Sequence, residues 1–347
     1  MTDKITYAQL FALLRDPETT DEELALYLDL VPGTGGLDFE VQVNPDTVIM
    51  TDGDRELESA MQIGNGIARL RRKVIFYNRI QKFSDRPVLV AEGDSWFQFP
   101  LLIRETIDHL MESYNIWSMG AAGDTLQNML HGKPAKGGFE FMQGLRRQKI
   151  RVQAFLFSGA GNDFLGEDPA TGLPMLTDLL RPFNGDPTDI TGHINLTELE
   201  RRLTEVQAAY LQVVAMVHGE PGLEQLPILF QGYDFAYPYP HGPNDPRDPS
   251  YADNDKWLGR ALKAKGILDD GLRRGIIIHL VDRLYQMLNT VVSAPGVSNV
   301  WVVDCRGALP RLTDWNDEIH GTTKGFAEVA RRFDATLKQA LAQPLIN

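Results

Sequence analysis

The chain has 347 residues, is 43% hydrophobic and 23% charged, and sets 34 Lys and Arg against 47 Asp and Glu for a net charge of −13. That length buries a full core as one large domain or two smaller ones, and the negative balance works against phosphate backbones and anionic membranes, so nucleic acid is not an expected partner. No run approaches the roughly 18 apolar residues that span a bilayer, the first residues lack a signal-peptide pattern, and the single Cys305 excludes an internal disulfide or a multi-cysteine metal site, so the cytoplasm is the default location.

In chain order, residues 1–58 hold fourteen acidic and three basic side chains, nearly all of the net charge. Thr6 with Gln9, and Thr20 with Glu23, have capping-box spacing and precede Leu-rich runs, which predicts two small helices and then a loop around Pro32 to Gly36. A helical stretch from Leu57 to Phe83 follows, and its Arg69, Arg71, Arg72 and Lys73 are placed to face the acidic segment. Residues 1–83 thus read as a helical, acidic extension and residues 84–347 as the main domain.

From residue 87 short apolar runs alternate with helical ones. The runs at 87–93, 115–119, 152–159, 227–233 and 299–305 predict five strands, and helical periodicity covers 101–112, 196–218 and 272–292. This is the pattern of an α/β protein with a parallel sheet covered by helices on both faces. Two long connections stand out, 160–195 and the Pro- and Tyr-rich 233–256, and loops of that length in a compact domain are usually functional or disordered.

Chemistry in such sheets collects at the carboxyl ends of the strands. The first strand runs into Gly93-Asp94-Ser95-Trp96, so Ser95 lies just past a strand end. A serine hydroxyl needs a base, and the base needs a third group to hold its tautomer. Asp317 and His320 supply both, because three residues bring them to one side of a helical turn, with Glu318 pointing away. Asp314 is the rival carboxylate. After the second strand comes Gly120-Ala121-Ala122-Gly123-Asp124-Thr125, where a glycine lets a backbone N–H approach a ligand, and after the third, Asn162 offers a side-chain amide. Trp96, Tyr233, Phe235 and Tyr237 lie on the same rim and can line a substrate pocket.

Ser95, Gly123, Asn162 and His320, in this order and at these strand ends, resemble the sequence blocks of the SGNH/GDSL hydrolases over about residues 87–335. The resemblance implies a flavodoxin-like three-layer α/β/α sandwich around about five parallel strands. It also implies a triad of Ser95, His320 and Asp317, and an oxyanion hole made by the N–H groups of Ser95 and Gly123 with the Asn162 side chain. It implies no metal and no organic cofactor. The substrate would be a small-molecule, lipid or carbohydrate ester, hydrolysed through an acyl-enzyme. Trp96 stands where leucine is usual and Gly321 where proline is frequent, which reshapes the pocket floor and loosens the start of the last helix. The competing expectation is a non-catalytic binding protein on the same fold, contacting a partner through its acidic N-terminal segment.

Overall fold

The computed structural model describes residues 4–15, 19–32, 39–50, 63–99, 103–131, 139–166, 174–247 and 257–342. The predicted loop at 33–36, the helix start at 57–62, residues 101–102 and the loop end at 248–256 lie outside the described residues.

Both N-terminal capping boxes form. Thr6 and Gln9 bond reciprocally at 2.8 and 3.3 Å ahead of α1 (Tyr7–Arg15), and Thr20 and Glu23 do so at 2.8 and 3.2 Å ahead of α2 (Asp21–Leu24). The segment is nevertheless mixed rather than helical. β1 (Ile5–Thr6) pairs parallel with β4 (Val48–Ile49), and β2 (Leu28–Pro32) pairs antiparallel with β3 (Phe39–Val43). Leu28-Asp29-Leu30 and Phe39-Glu40-Val41 alternate with the strand period of two, and this short signal is easily lost beside Leu-rich helices. Tyr7, Leu10, Leu14, Leu24, Leu28, Val43 and Val48 form a small core of their own.

The basic residues of α3 (Ile63–Lys82) bond both to the main body and to the N-terminal segment. Arg72 donates to the Phe97 carbonyl at 2.7 Å and pairs with buried Glu105, Arg69 pairs with Glu140 at 2.9 Å and reaches the Gly120 carbonyl at 3.3 Å, and Arg71 bonds the Thr19 carbonyl. Phe76 of α3 stacks on Trp117 and joins the main core.

The main sheet contains β5 (Val88–Gly93), β6 (Asn115–Ser118), β7 (Val152–Ser158), β8 (Ile228–Gln231) and β9 (Val300–Val303), all parallel, in spatial order β6-β5-β7-β8-β9. Counted within this sheet the order is 2-1-3-4-5, the flavodoxin-like winding, whose crevice opens where the direction of winding switches, between β5 and β7. Each strand falls inside the apolar run that predicts it, because strands covered on both faces have few polar positions.

The helices between strands are α4 (Thr106–Leu110), α5 (Leu126–His131), α6 (Glu140–Gln148), α7 (Gly161–Leu165), α8 (Leu176–Leu179), α9 (Leu196–His218), α10 (Leu258–Ala264), α11 (Asp270–Val292) and α12 (Thr323–Ala342). One face carries α6 and α9, where Phe141 stacks on Phe155 and Tyr210 packs edge-on to Phe157 and Phe230. On the other face Phe333 of α12 packs against Phe97, and α12 also contacts α4. The result is a three-layer α/β/α sandwich with a five-stranded parallel sheet. Cys305 is buried past the end of β9, where burial pushes its thiol pKa well up. Among the described residues no helix is long and apolar enough to cross a membrane.

Candidate active site

β5 delivers Ser95 to the crevice through a tight turn. A Cβ on Gly93 would sit 2.8 Å from both Phe97 and Ser158, so only glycine lets the chain pass. Buried Asp94 then accepts from Trp96 N–H at 3.0 Å, Ser158 Oγ at 3.0 Å and the Tyr233 hydroxyl, tying together segments from three neighbouring strands. Burial raises the Asp94 pKa against those hydrogen bonds.

His320, 225 positions away in sequence, meets Ser95 here: its Nε2 lies 2.8 Å from Ser95 Oγ, and its Nδ1 lies 2.7 Å from Asp317 Oδ2. All three side chains are buried. Asp317 and His320 do not share a helical turn. They sit in a closed loop sealed by the Trp315–Gly321 bridge, where Asp317 Oδ1 accepts the N–H groups of Ile319 and His320 at 2.8 and 2.7 Å. A carboxylate that folds its own following backbone around itself reaches the i+3 side chain without a helix. Burial alone would raise the Asp317 pKa, but the adjacent imidazole and these two N–H donors hold it below the ordinary value. Phe99 and Trp257 pack edge-on to the imidazole at 4.7 and 5.7 Å between ring centres, which restricts its rotation. Asp314 faces Arg311 at 2.7 Å instead of the histidine.

Glu318 points away from the imidazole, yet it is fully buried and holds the rim together. It accepts the N–H groups of Leu258 and Gly259 at 2.6 and 2.7 Å and that of Tyr239. Arg247, ion-paired with Asp245, donates to the Asp317 carbonyl at 3.2 Å, so the loop after β8 is bonded onto the histidine loop at two points. Neither role has a local sequence signal, since both partners lie about sixty or more residues away.

Across the crevice, Gly123 takes a left-handed φ of +79° in the turn after β6, a conformation that favours glycine. Among the described residues neither the Gly123 N–H nor the Ser95 N–H has a protein acceptor, which leaves both able to donate to a ligand. Asn162, buried in the first turn of α7, spends one amide hydrogen on the Asp124 carbonyl at 2.6 Å and keeps the other.

Beside it Asp163 accepts the Leu126 N–H at 3.0 Å, and burial lifts its pKa to about 6. The unfolded carboxyl ionises near its ordinary value, so between about pH 4 and 6 the native state holds the extra proton and stability falls as pH rises through that window. Above it the loss is complete, on the order of 3 kcal/mol. Asp163→Asn cannot ionise and keeps an oxygen for Leu126. The variant should therefore gain more Tm over wild type at pH 8 than at pH 4.5, by thermal unfolding; a pH-independent difference would contradict this.

A cavity of about 80 Å³ opens beside Ser95. Of the four aromatic residues that the sequence singles out, Trp96 and Tyr233 line it, whereas Phe235 and Tyr237 do not. The Arg274 guanidinium lies 3.6 Å from the Tyr237 ring centre and 6.0 Å from that of Phe235, and the Tyr237 hydroxyl bonds the Pro310 carbonyl at 2.9 Å. An irregular loop does not keep alternate residues on one side, so Ala236 faces the cavity in their place. The wall also includes Phe164 and Leu165 of α7, Leu258 of α10, Ile319 of the histidine loop, and Ile277, Leu280, Val281 and Leu284 of α11. The one clue to this in the sequence is that α11 carries more apolar residues than a single buried stripe requires.

No protein-family model matches the chain, and no curated protein matches it in sequence. Among solved structures it is similar to a carbohydrate acetylesterase from Sinorhizobium meliloti, at 12% identity over 73% of this chain and 99% of that one, with a TM-score of 0.39. It is also similar to a carbohydrate esterase family 3 structure from Talaromyces cellulolyticus, at 11% identity over 74% of this chain and 98% of that one, with a TM-score of 0.37. An alpha/beta hydrolase enzyme from the metagenome of Lake Arreo, Spain, matches at 14% identity over 74% of this chain and 97% of that one, with a TM-score of 0.35. At these scores the likenesses do not bear on activity.

Proposed function

We propose that this chain is a serine hydrolase of the SGNH/GDSL type that cleaves carboxylic esters through an acyl-enzyme. The observation that carries the reading is the unbroken hydrogen-bonded series from Asp317 to His320 to Ser95, at 2.7 and 2.8 Å, with unpaired backbone donors beside the hydroxyl. Ser95 Oγ attacks the ester carbonyl carbon while His320 Nε2 takes its proton. Asp317 fixes the tautomer that leaves Nε2 unprotonated and steadies the imidazolium that forms. The tetrahedral oxyanion is held by the N–H groups of Ser95 and Gly123 and by the Asn162 amide, each such donor being worth about 3 to 4 kcal/mol in other hydrolases. The C–O bond then breaks, the alkoxide takes the proton from His320, and water repeats the sequence on the acyl-enzyme. No step calls on a metal or an organic cofactor.

The direct test is labelling with a fluorophosphonate, which reacts only with an activated serine. Stoichiometric labelling at Ser95 together with turnover of an activated ester is expected. A folded chain that does neither would leave the non-catalytic alternative, a binding protein that meets its partner through the acidic segment.

A further inference from the structure

We propose that the cavity beside Ser95 is an acyl-chain pocket built for a straight saturated chain of about four to six carbons, with Leu280 of α11 setting the length. This rests on the hydrolase reading above and adds its substrate class. Three features of the cavity carry it.

The first is which side of the reacting carbon the cavity occupies. Ser95 and Asn162 line it and His320 does not. The leaving oxygen must face His320 Nε2 to receive its proton, so a group that extends from Ser95 past Asn162 towards α7 and α11 is attached to the carbonyl carbon itself. The cavity therefore holds the acyl half of the ester.

The second is polarity. Beyond Ser95 and Asn162 the polar side chains of the wall already have protein partners. Asp94 accepts from Trp96, Ser158 and Tyr233. Asp234 accepts the N–H groups of Gly307 and Leu309, both at 2.6 Å. The Tyr233 hydroxyl accepts the Gly161 N–H at 3.0 Å and lies 2.7 Å from the Gly159 carbonyl. The remaining lining residues are apolar, among them Phe164, Leu165, Leu258, Ile277, Leu280 and Ile319. Hydroxyls of a sugar or hydroxy acid would leave water and find no partner there, whereas methylenes lose nothing.

The third is size. At about 80 Å³ the cavity is roughly half of the ~150 Å³ that accommodates benzene in an apolar protein cavity. That room takes a few methylenes in line and refuses an aromatic acyl group or a long fatty chain. Acetyl would leave most of it empty.

The experiment is a series of p-nitrophenyl esters from acetate to laurate, compared by kcat/KM in wild type, Leu280→Trp and Leu280→Ala. Each methylene that enters the pocket should raise kcat/KM about fourfold, so butyrate should exceed acetate by roughly 15-fold, with a fall beyond hexanoate. Leu280→Trp puts a larger side chain on the α11 wall of the cavity and should bring the butyrate-to-acetate ratio down towards one. Leu280→Ala should move the optimum to longer chains, and it serves alone if the tryptophan variant does not fold. A wild type that hydrolyses acetate fastest, an optimum at octanoate or beyond, or a profile that neither variant shifts would overturn the pocket assignment while leaving the hydrolase reading intact. A folded wild type that cleaves no ester and takes no fluorophosphonate would overturn the hydrolase reading itself.

Discussion

Ser95→Ala should lower kcat for an activated ester by at least about 10⁴-fold and remove fluorophosphonate labelling altogether. The hydroxyl is the only nucleophile within reach of His320 Nε2 among the described residues, at 2.8 Å, and the buried site offers no second serine or cysteine: Ser158 is committed to Asp94 at 3.0 Å and Cys305 is buried past another strand. What survives would be the rate that positioned donors give to direct attack by water, which in other hydrolases is still about 10³ to 10⁴ above solution. The same substitution should cost the fold little, about 1 kcal/mol for one lost hydrogen bond, because alanine occupies the same turn and the imidazole stays packed between Phe99 and Trp257. Steady-state kinetics and a thermal melt on one preparation separate the two effects. Retention of wild-type turnover would remove Ser95 from the mechanism.

Asp317→Asn is the second large effect and the more diagnostic one. The amide matches the carboxylate in shape, and its oxygen can still accept the N–H groups of Ile319 and His320, so the loop closed by the Trp315–Gly321 bridge should persist. Its NH₂ group then faces His320 Nδ1 across the 2.7 Å contact and can only donate. The imidazole is forced to accept at Nδ1 and to carry its proton on Nε2, where it meets Ser95 as a donor and cannot act as a base. A loss of about 10⁴-fold in kcat with little change in Tm is expected, as the equivalent change of tautomer costs in a serine protease. Asp314→Asn is the control, since Asp314 pairs with Arg311 and should leave kcat within about twofold. If Asp317→Asn stayed within tenfold of wild type while Asp314→Asn lost activity, the carboxylate assignment would be reversed.

The sheet was legible because its strands are buried on both faces, so each appears as a short apolar run with little polar interruption. Val88–Gly93, Asn115–Ser118 and Val152–Ser158 all fall within such runs. The residues at the strand ends were legible for a related reason: a parallel strand must be followed by a turn at the same rim, so Ser95, Gly123 and Asn162 share an edge of the sheet once three strands are known. His320 and Asp317 depended on an i, i+3 spacing read as helical. The structure puts them in contact through a backbone turn instead, so the pairing stands on a different geometry.

The rest depended on contacts between residues far apart in sequence. Local periodicity can say that a residue faces a core but not which core, so the sequence leaves open that α3 bonds the rim of the main sheet through Arg69 and Arg72 while a second small core forms around Leu10 and Leu24. It also cannot say that Glu318 would be buried on the backbone of Leu258 and Gly259, or that Ala236 rather than Phe235 or Tyr237 would face the cavity. The sequence by itself determined the strands, their order along the chain and the polar groups at their ends, because burial on both faces and the turn after each strand write themselves locally. Only the tertiary structure decided the 2-1-3-4-5 winding, the 2.8 Å meeting of residues 225 positions apart and the apolar wall that α11 lends to the pocket, because each is a property of surfaces that exist only once distant segments have packed.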